Sequence, residues 1–202
     1  MKMRIYIFRH GETDYNKNKM MQGRSIDSEL NETGLDQVNR FFEYHKHIPF
    51  EVIFSSDLKR SIQSIARFRD LDIPHIVDDR ITEFSWGISE GKVLNKELIR
   101  SFHKMVEEWK NGNIDYAIPG GESARSLKER IDSFISHIQQ RNEKLILINT
   151  HGRALRMLVT RILNEPIESM EKYEHNNTGL YVFDYEGKEF HMKISNDIAH
   201  LN

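Results

Sequence analysis

Arg4-Ile5-Tyr6-Ile7-Phe8-Arg9-His10-Gly11-Glu12-Thr13-Asp14-Tyr15-Asn16 is the stretch that decides the fold. Ile5 to Phe8 are four apolar residues in a row, two isoleucines and two aromatics, which suits a short buried β-strand. The run stops at Arg9-His10, and Gly11 follows. A charged pair at the end of a buried strand is expensive unless it has a partner or a task. Glycine lets the backbone turn tightly or approach a ligand. In open α/β sheets, ligands bind at the carboxyl ends of strands. The first strand therefore delivers an arginine and a histidine to a binding crevice, either as a solvated pair or as an anion-binding arginine beside a nucleophile.

Other strands end in matching chemistry. Leu145-Ile146-Leu147-Ile148-Asn149 runs into Thr150-His151-Gly152. Val52-Ile53-Phe54 runs into Ser55-Ser56-Asp57-Leu58-Lys59-Arg60. Arg60 falls in the first turn of the helix that follows, capped by Ser56 or Asp57. A solvated cation is better placed at a helix C-terminus, so an arginine here is better explained by a bound anion.

These motifs resemble the histidine phosphatase superfamily, also called the phosphoglycerate mutase-like family. Arg9-His10-Gly11-Glu12-Thr13 with Asn16 is similar to its signature, and Gln22-Gly23-Arg24 continues the pattern. Ser55 to Arg60 resembles the second motif. Glu83 in Thr82-Glu83-Phe84-Ser85-Trp86-Gly87, followed by Glu90-Gly91, resembles the third, and Thr150-His151-Gly152 the fourth. The four occur in family order and cover nearly the whole chain. The resemblance implies that His10 is phosphorylated, that Arg9, Arg60 and His151 bind the phosphoryl group, and that Glu83 is the general acid. Asn16, Gln22, Gly23 and Gly152 are expected to line the substrate site. Glu12 reads as a structural carboxylate that orients the loop.

The chemistry of these side chains supports the same reading. Arginine forks match phosphate oxygens. Gly11, Gly23 and Gly152 allow backbone N–H groups to come close. A neutral histidine can attack phosphorus through a ring nitrogen without a metal, and its ordinary pKa of about 6.5 makes the neutral form attainable. Glu83 needs a raised pKa to hold a proton, through burial beside Phe84 and Trp86. Two histidines and a glutamate could instead hold zinc, but neighbouring arginines oppose a cation. No metal and no cofactor are expected.

Composition bounds the rest. The chain has 202 residues, 30% of them charged, and a formal net charge of -2. That balance gives no global attraction to nucleic acid or an acidic membrane. With no cysteine, disulfides, thiol nucleophiles and cysteine zinc sites are excluded. No apolar stretch is long enough for a signal peptide or a membrane span, so a cytoplasmic location is expected, as a monomer or homodimer.

Strand and helix patterns alternate, which predicts an α/β fold: a three-layer α/β/α sandwich with a mostly parallel sheet. Leu35, Val38, Phe41 and Phe42 mark the helix after Asn31, with His45 and His47 solvated at its end. Leu58, Ile62, Ile65 and Phe68 mark the next. Residues 84–121 break the rhythm. They carry a helix over 95–110 with Leu98, Phe102, Met105 and Trp109, and read as a lid within one domain spanning 1–202. Ser123 caps a long helix with Leu127, Ile131, Phe134, Ile135 and Ile138, beside which His137 reads as structural. Residues 179–183 and 190–194 flank Tyr185-Glu186-Gly187 as an edge β-hairpin.

The crevice wall is expected to be mixed. Met20, Met21, Phe84, Trp86, Met105, Trp109 and Tyr116 are apolar or aromatic candidates, and Arg24, Lys92 and Lys104 are basic ones, with core packing the competing reading for the helical stripe. Mutases that resemble this chain carry a paired-arginine segment in the lid, where Glu107-Glu108-Trp109-Lys110-Asn111-Gly112 stands here. That departure favours a promiscuous phosphatase for a small phosphate ester. The alternatives are a cofactor-dependent phosphoglycerate mutase and a non-catalytic phospho-ligand binding protein.

Overall fold

The computed structural model describes residues 2–202. Its sheet has strands β1 (Met3–Arg9), β2 (Val52–Ser55), β3 (His75–Val77), β4 (Leu145–Thr150), β5 (Leu180–Glu186) and β6 (Glu189–Asp197), in the order β3-β2-β4-β1-β5-β6. β3, β2, β4 and β1 run parallel; β5 and β6 are antiparallel. The α/β sandwich with a mostly parallel sheet and an edge hairpin is therefore the observed fold.

Alternation along the buried runs assigns side chains to the two faces. Ile5, Ile7, Val52, Phe54, Ile146 and Ile148 join one core with α6 (Ala124–Gln139), α7 (Gly152–Ile162) and the lid. Phe8, Ile53 and Leu147 join a second core with α2 (Glu32–His45) and the short helices α3 (Lys59–Ser64) and α4 (Ala66–Arg69). Both faces of the central strands are covered, which is why these strands read as continuous apolar runs.

Register then assembles the site. Arg9 lies opposite Thr150 across β1 and β4, and Ser55 opposite Asn149 across β2 and β4. His10, His151 and Ser56 each follow one of these residues, so three strand ends converge at one point.

Several local expectations need correction. The helix after β2 has Leu58 as its N-cap, without a side-chain cap, and breaks at Ile65. Ser56 Oγ instead accepts the N–H of Leu58 at 3.3 Å. Leu35 is exposed. His45 is buried: its Nδ1 donates to the Phe41 carbonyl at 2.9 Å, and its ring packs against Phe41 and His200. The partner His200 lies far away in sequence, so local polarity misleads. α5 (Lys96–Lys110) is capped by Asn95, as the periodicity predicts. Met105, Trp109 and Phe84 are buried in the first core rather than in the crevice. The segment 84–121 is thus anchored through its own apolar face.

Candidate active site

The carboxyl end of the sheet opens into a cavity of about 530 Å³. Arg9, His10, Asn16, Gln22, Glu83 and Gly152 line it. Arg60, His151 and Gly23 lie behind this wall.

His10 is buried, and its Nδ1 lies 2.7 Å from the carbonyl of Gly11. A carbonyl only accepts, so Nδ1 carries the proton and the lone pair sits on Nε2. Burial, reinforced by the charges of Arg9 and Arg60, pushes the His10 pKa well below its ordinary value. The ring is therefore neutral at neutral pH, the form that a nucleophile needs.

Arg9 Nη1 donates to the His175 carbonyl at 2.8 Å, while its Nε makes no hydrogen bond. Burial lowers its pKa to about 10, so it stays cationic. The same Nη1 lies 3.3 Å from His175 Nδ1. Burial, then the Arg9 charge, brings the His175 pKa down to about 3.

Arg60 is fully buried at the start of α3. Its Nη1 donates to the Ile26 carbonyl at 2.5 Å, its Nη2 to Gly23 at 3.3 Å, and its Nε to His151 Nδ1 at 3.2 Å. His151 Nε2 donates to Ser56 Oγ at 2.7 Å. Both ring nitrogens of His151 are thus engaged, and its ring lies 5.1 Å from that of His10. In this arrangement Arg60 and His151 act on the cavity as buried charge and dipole behind the nucleophile, rather than as lining donors.

Glu83 is held by backbone donors. Its Oε1 accepts the N–H groups of Phe84 at 2.8 Å, Arg153 at 3.1 Å and Ala154 at 3.1 Å. His151, the N-cap residue of α7, offers no side-chain cap. Glu83 supplies it from a distant segment, and a carboxylate suits the positive end of the helix. The expected apolar surroundings are only half of its environment.

The glycines serve packing as well as approach. A Cβ on Gly11 would sit 2.6 Å from the Gly34 carbonyl of α2, and its N–H already donates to Ser64 Oγ at 3.1 Å. A Cβ on Gly23 would sit 2.3 Å from a Glu90 carboxylate oxygen. Asn16 and Thr13 form a capping box on the short helix α1 (Asp14–Lys17). Gln22 Oε1 accepts from Thr13 Oγ1 at 3.0 Å, and Glu12 Oε1 accepts from Asn31 Nδ2 at 2.9 Å.

Met20, Met21 and Trp86 belong to the wall. Arg24, Lys92, Lys104 and Tyr116 do not line it. Residues that sequence reasoning passed over do: Lys19, Leu94, Ile99, Phe102, His103, Arg153, Arg156, His175 and Asn177. Asn177 Nδ2 donates to the His10 carbonyl at 3.0 Å. The signal for Arg153 and Arg156 was present. They follow His151-Gly152 one helical turn apart, on the helix whose start forms the site.

A parallel-strand crevice holding a neutral, lone-pair-bearing histidine between an arginine and a carboxylate defines a phosphoryl-transfer class of site. The family model of the histidine phosphatase superfamily (branch 1) matches residues 5–198, and the chain belongs to that superfamily. It is 30% identical over 214 residues to "Probable phosphoglycerate mutase GpmB" of Shigella dysenteriae, covering 99% of this chain and 95% of that one. It is 25% identical to "Putative phosphoserine phosphatase 2" of Hydrogenobacter thermophilus, covering 98% and 97%. Among solved structures, Bacillus stearothermophilus YhfR superposes with a TM-score of 0.84 at 25% identity, covering 99% and 100%.

Proposed function

We propose that this chain is a phosphomonoesterase that acts on small organic phosphates through a phosphohistidine on His10. The observation that carries the reading is the fixed tautomer of His10: Nδ1 is tied to the Gly11 carbonyl, and Nε2 is left to attack within a cavity that Arg9 and Glu83 also line.

Nε2 attacks phosphorus as the P–O bond to the leaving group breaks, and Glu83 gives the leaving oxygen its proton. Water then attacks phosphorus, the N–P bond breaks, and Glu83 takes the water's proton back. Arg9 neutralises charge on the transferring oxygens, with Arg60 and His151 behind it. Asn16, Gln22 and Gly152 border the ester, and Gly23 seats Arg60. No metal is required, because the arginines supply the positive field. His151 uses both ring nitrogens on Ser56 and Arg60, which leaves it no lone pair for a cation. We place the protein in the cytoplasm as one domain, with 84–121 as the lid. No described helix is long and apolar enough to cross a membrane.

The test is release of inorganic phosphate from 4-nitrophenyl phosphate, with acid-labile, base-stable phosphate trapped on the enzyme. The second reading, a mutase, draws support from the Shigella dysenteriae relative's name. Mutase turnover on 3-phosphoglycerate, stimulated by 2,3-bisphosphoglycerate and well above the best hydrolysis rate, would select it.

A further inference from the structure

The cavity carries more positive charge than a phosphoryl group uses. Arg153 lines it, is buried, and makes no hydrogen bond through Nε or Nη2. Its Nη1 lies against Glu171 Oε1 without hydrogen-bond alignment. Arg156, one turn along α7, donates from Nη1 to Glu171 Oε2 at 2.5 Å and from Nε to the Tyr173 carbonyl at 2.7 Å. Two guanidinium groups therefore share one carboxylate beside the catalytic cluster.

The unpaired edge has a specific shape. Nε and Nη2 form the side of a guanidinium that meets a carboxylate with two parallel bonds. This chain uses that edge repeatedly. Arg4 holds Asp184 through Nε and Nη2 at 2.6 and 3.0 Å. Arg125 holds Asp115 at 2.6 and 3.0 Å, and Arg130 holds Glu122 at 2.7 and 3.0 Å. In Arg153 the same edge meets no protein acceptor. Its guanidinium carbon lies instead 5.1 to 5.7 Å from the ring centres of Trp109, Phe102 and Trp86. Aromatic faces stabilise a cation but do not accept its in-plane N–H bonds as an oxygen does. Leaving two such donors unmade in a buried site costs stability that a ligand oxyanion can restore.

Position links this edge to the reaction. The Arg153 backbone N–H donates to both carboxylate oxygens of Glu83, at 3.1 and 3.2 Å. A leaving group protonated by Glu83 thus departs next to the residue that carries the edge. We propose that Arg153, supported by Arg156, recognises a carboxylate on the leaving group, so that the substrates are phosphate esters of hydroxy acids. The inference rests on the phosphatase reading and adds a substrate class to it. Both nitrogens are covered, so the substrate reaches them as Phe102 or the guanidinium rotates, and its carboxylate competes with Glu171.

The test compares ester pairs that differ only at the carboxylate: O-phosphoserine against O-phosphoethanolamine, and 3-phosphoglycerate against glycerol 1-phosphate. Phosphate release is measured for the wild type, Arg153→Met and Glu171→Gln. The wild type should favour the carboxylate member of each pair by roughly tenfold or more in kcat/KM, since a site built for a polar group rejects the analogue that lacks it. Arg153→Met should bring each ratio to within about threefold, chiefly through KM, and Glu171→Gln should raise it. A wild-type ratio near one overturns the proposal whether or not Arg153→Met folds. An unchanged ratio in folded Arg153→Met does so too. If no ester is hydrolysed, 4-nitrophenyl phosphate included, the phosphatase reading fails and the subsite falls with it. Hydrolysis of 4-nitrophenyl phosphate with ratios near one removes the subsite alone.

Discussion

Arg130 on α6 holds the backbone of Glu83: its Nη2 donates to the Glu83 carbonyl at 3.3 Å, and its Nη1 to those of Arg80 and Thr82 at 2.7 Å each. Its other edge is paired with Glu122, and both side chains are largely buried. Arg130→Met should therefore strand Glu122 and free the loop that aims Glu83. Removing one partner of a buried pair costs about 3 kcal/mol or more. Urea unfolding should show that loss, and kcat should fall with it. Native stability in the variant would mean that this loop is held by packing alone.

His10→Ala should lower hydrolysis by about a thousandfold or more, the scale at which removing a nucleophile disables a covalent mechanism. The phosphohistidine signal should vanish while the circular dichroism spectrum is retained. Near-native turnover in this variant would move the nucleophile elsewhere.

Glu83→Gln should separate substrates by leaving group. General acid catalysis contributes roughly 10² to 10⁴-fold, and a nitrophenolate needs little of it. Alkyl phosphates should lose that range, and 4-nitrophenyl phosphate far less. Equal losses for both would assign the proton to another group. Glu90 is a poor candidate, because its Oε1 is spent on the N–H of Trp86 and its Oε2 on that of Ser25.

Activity should survive exhaustive treatment with EDTA. The positive field that a metal would supply comes from Arg9 and Arg60, both of which burial leaves cationic near neutrality, with pKa values of about 10. Loss of turnover that zinc or magnesium restores is the contrary result.

Stability should fall as pH drops below about 6.5, the ordinary histidine value. Burial is the first cause of a lowered pKa at His10, His151, His175 and His200, the last two to about 3 and about 4. Below pH 6.5 the unfolded chain takes up protons that the folded rings refuse, so acid favours unfolding. Above pH 6.5 neither state binds these protons, and the full stability is present. Each such histidine contributes about 1.4 kcal/mol per pH unit within its window. Melting temperatures between pH 7 and pH 4.5 should trace this slope, and His200→Gln should flatten it. A melting temperature constant from pH 7 to pH 5 would contradict the buried neutral rings.

Much of this was legible in the chain. Continuous apolar runs marked β1, β2 and β4, because strands covered on both faces need no alternation. The residues at their ends marked the crevice, because parallel strands bring their carboxyl ends together. What stayed hidden depends on contacts between distant segments. Polarity around His45 suggested solvent, and His200 closes over it. Arg60 looked like a free anion clamp, and the carbonyls of Ile26 and Gly23 occupy its fork. Met105 and Trp109 looked like crevice wall, and their helix turns them into the core. Arg153 and Arg156 were lost inside an apolar helical stripe, since periodicity records which face is buried but not that a cavity borders it.

The placement of β1 also has a consequence during synthesis. The strand that carries the nucleophile is made first, yet its sheet neighbours are β4 and β5, from the last third of the chain. The backbone behind His10 waits longer still. Thr178 donates its N–H to the Arg9 carbonyl at 3.1 Å, and its hydroxyl is paired with His200 at 2.9 Å. A nascent chain on the ribosome thus holds its reactive histidine unpaired until almost the final codon, and turnover begins only after the polypeptide is released.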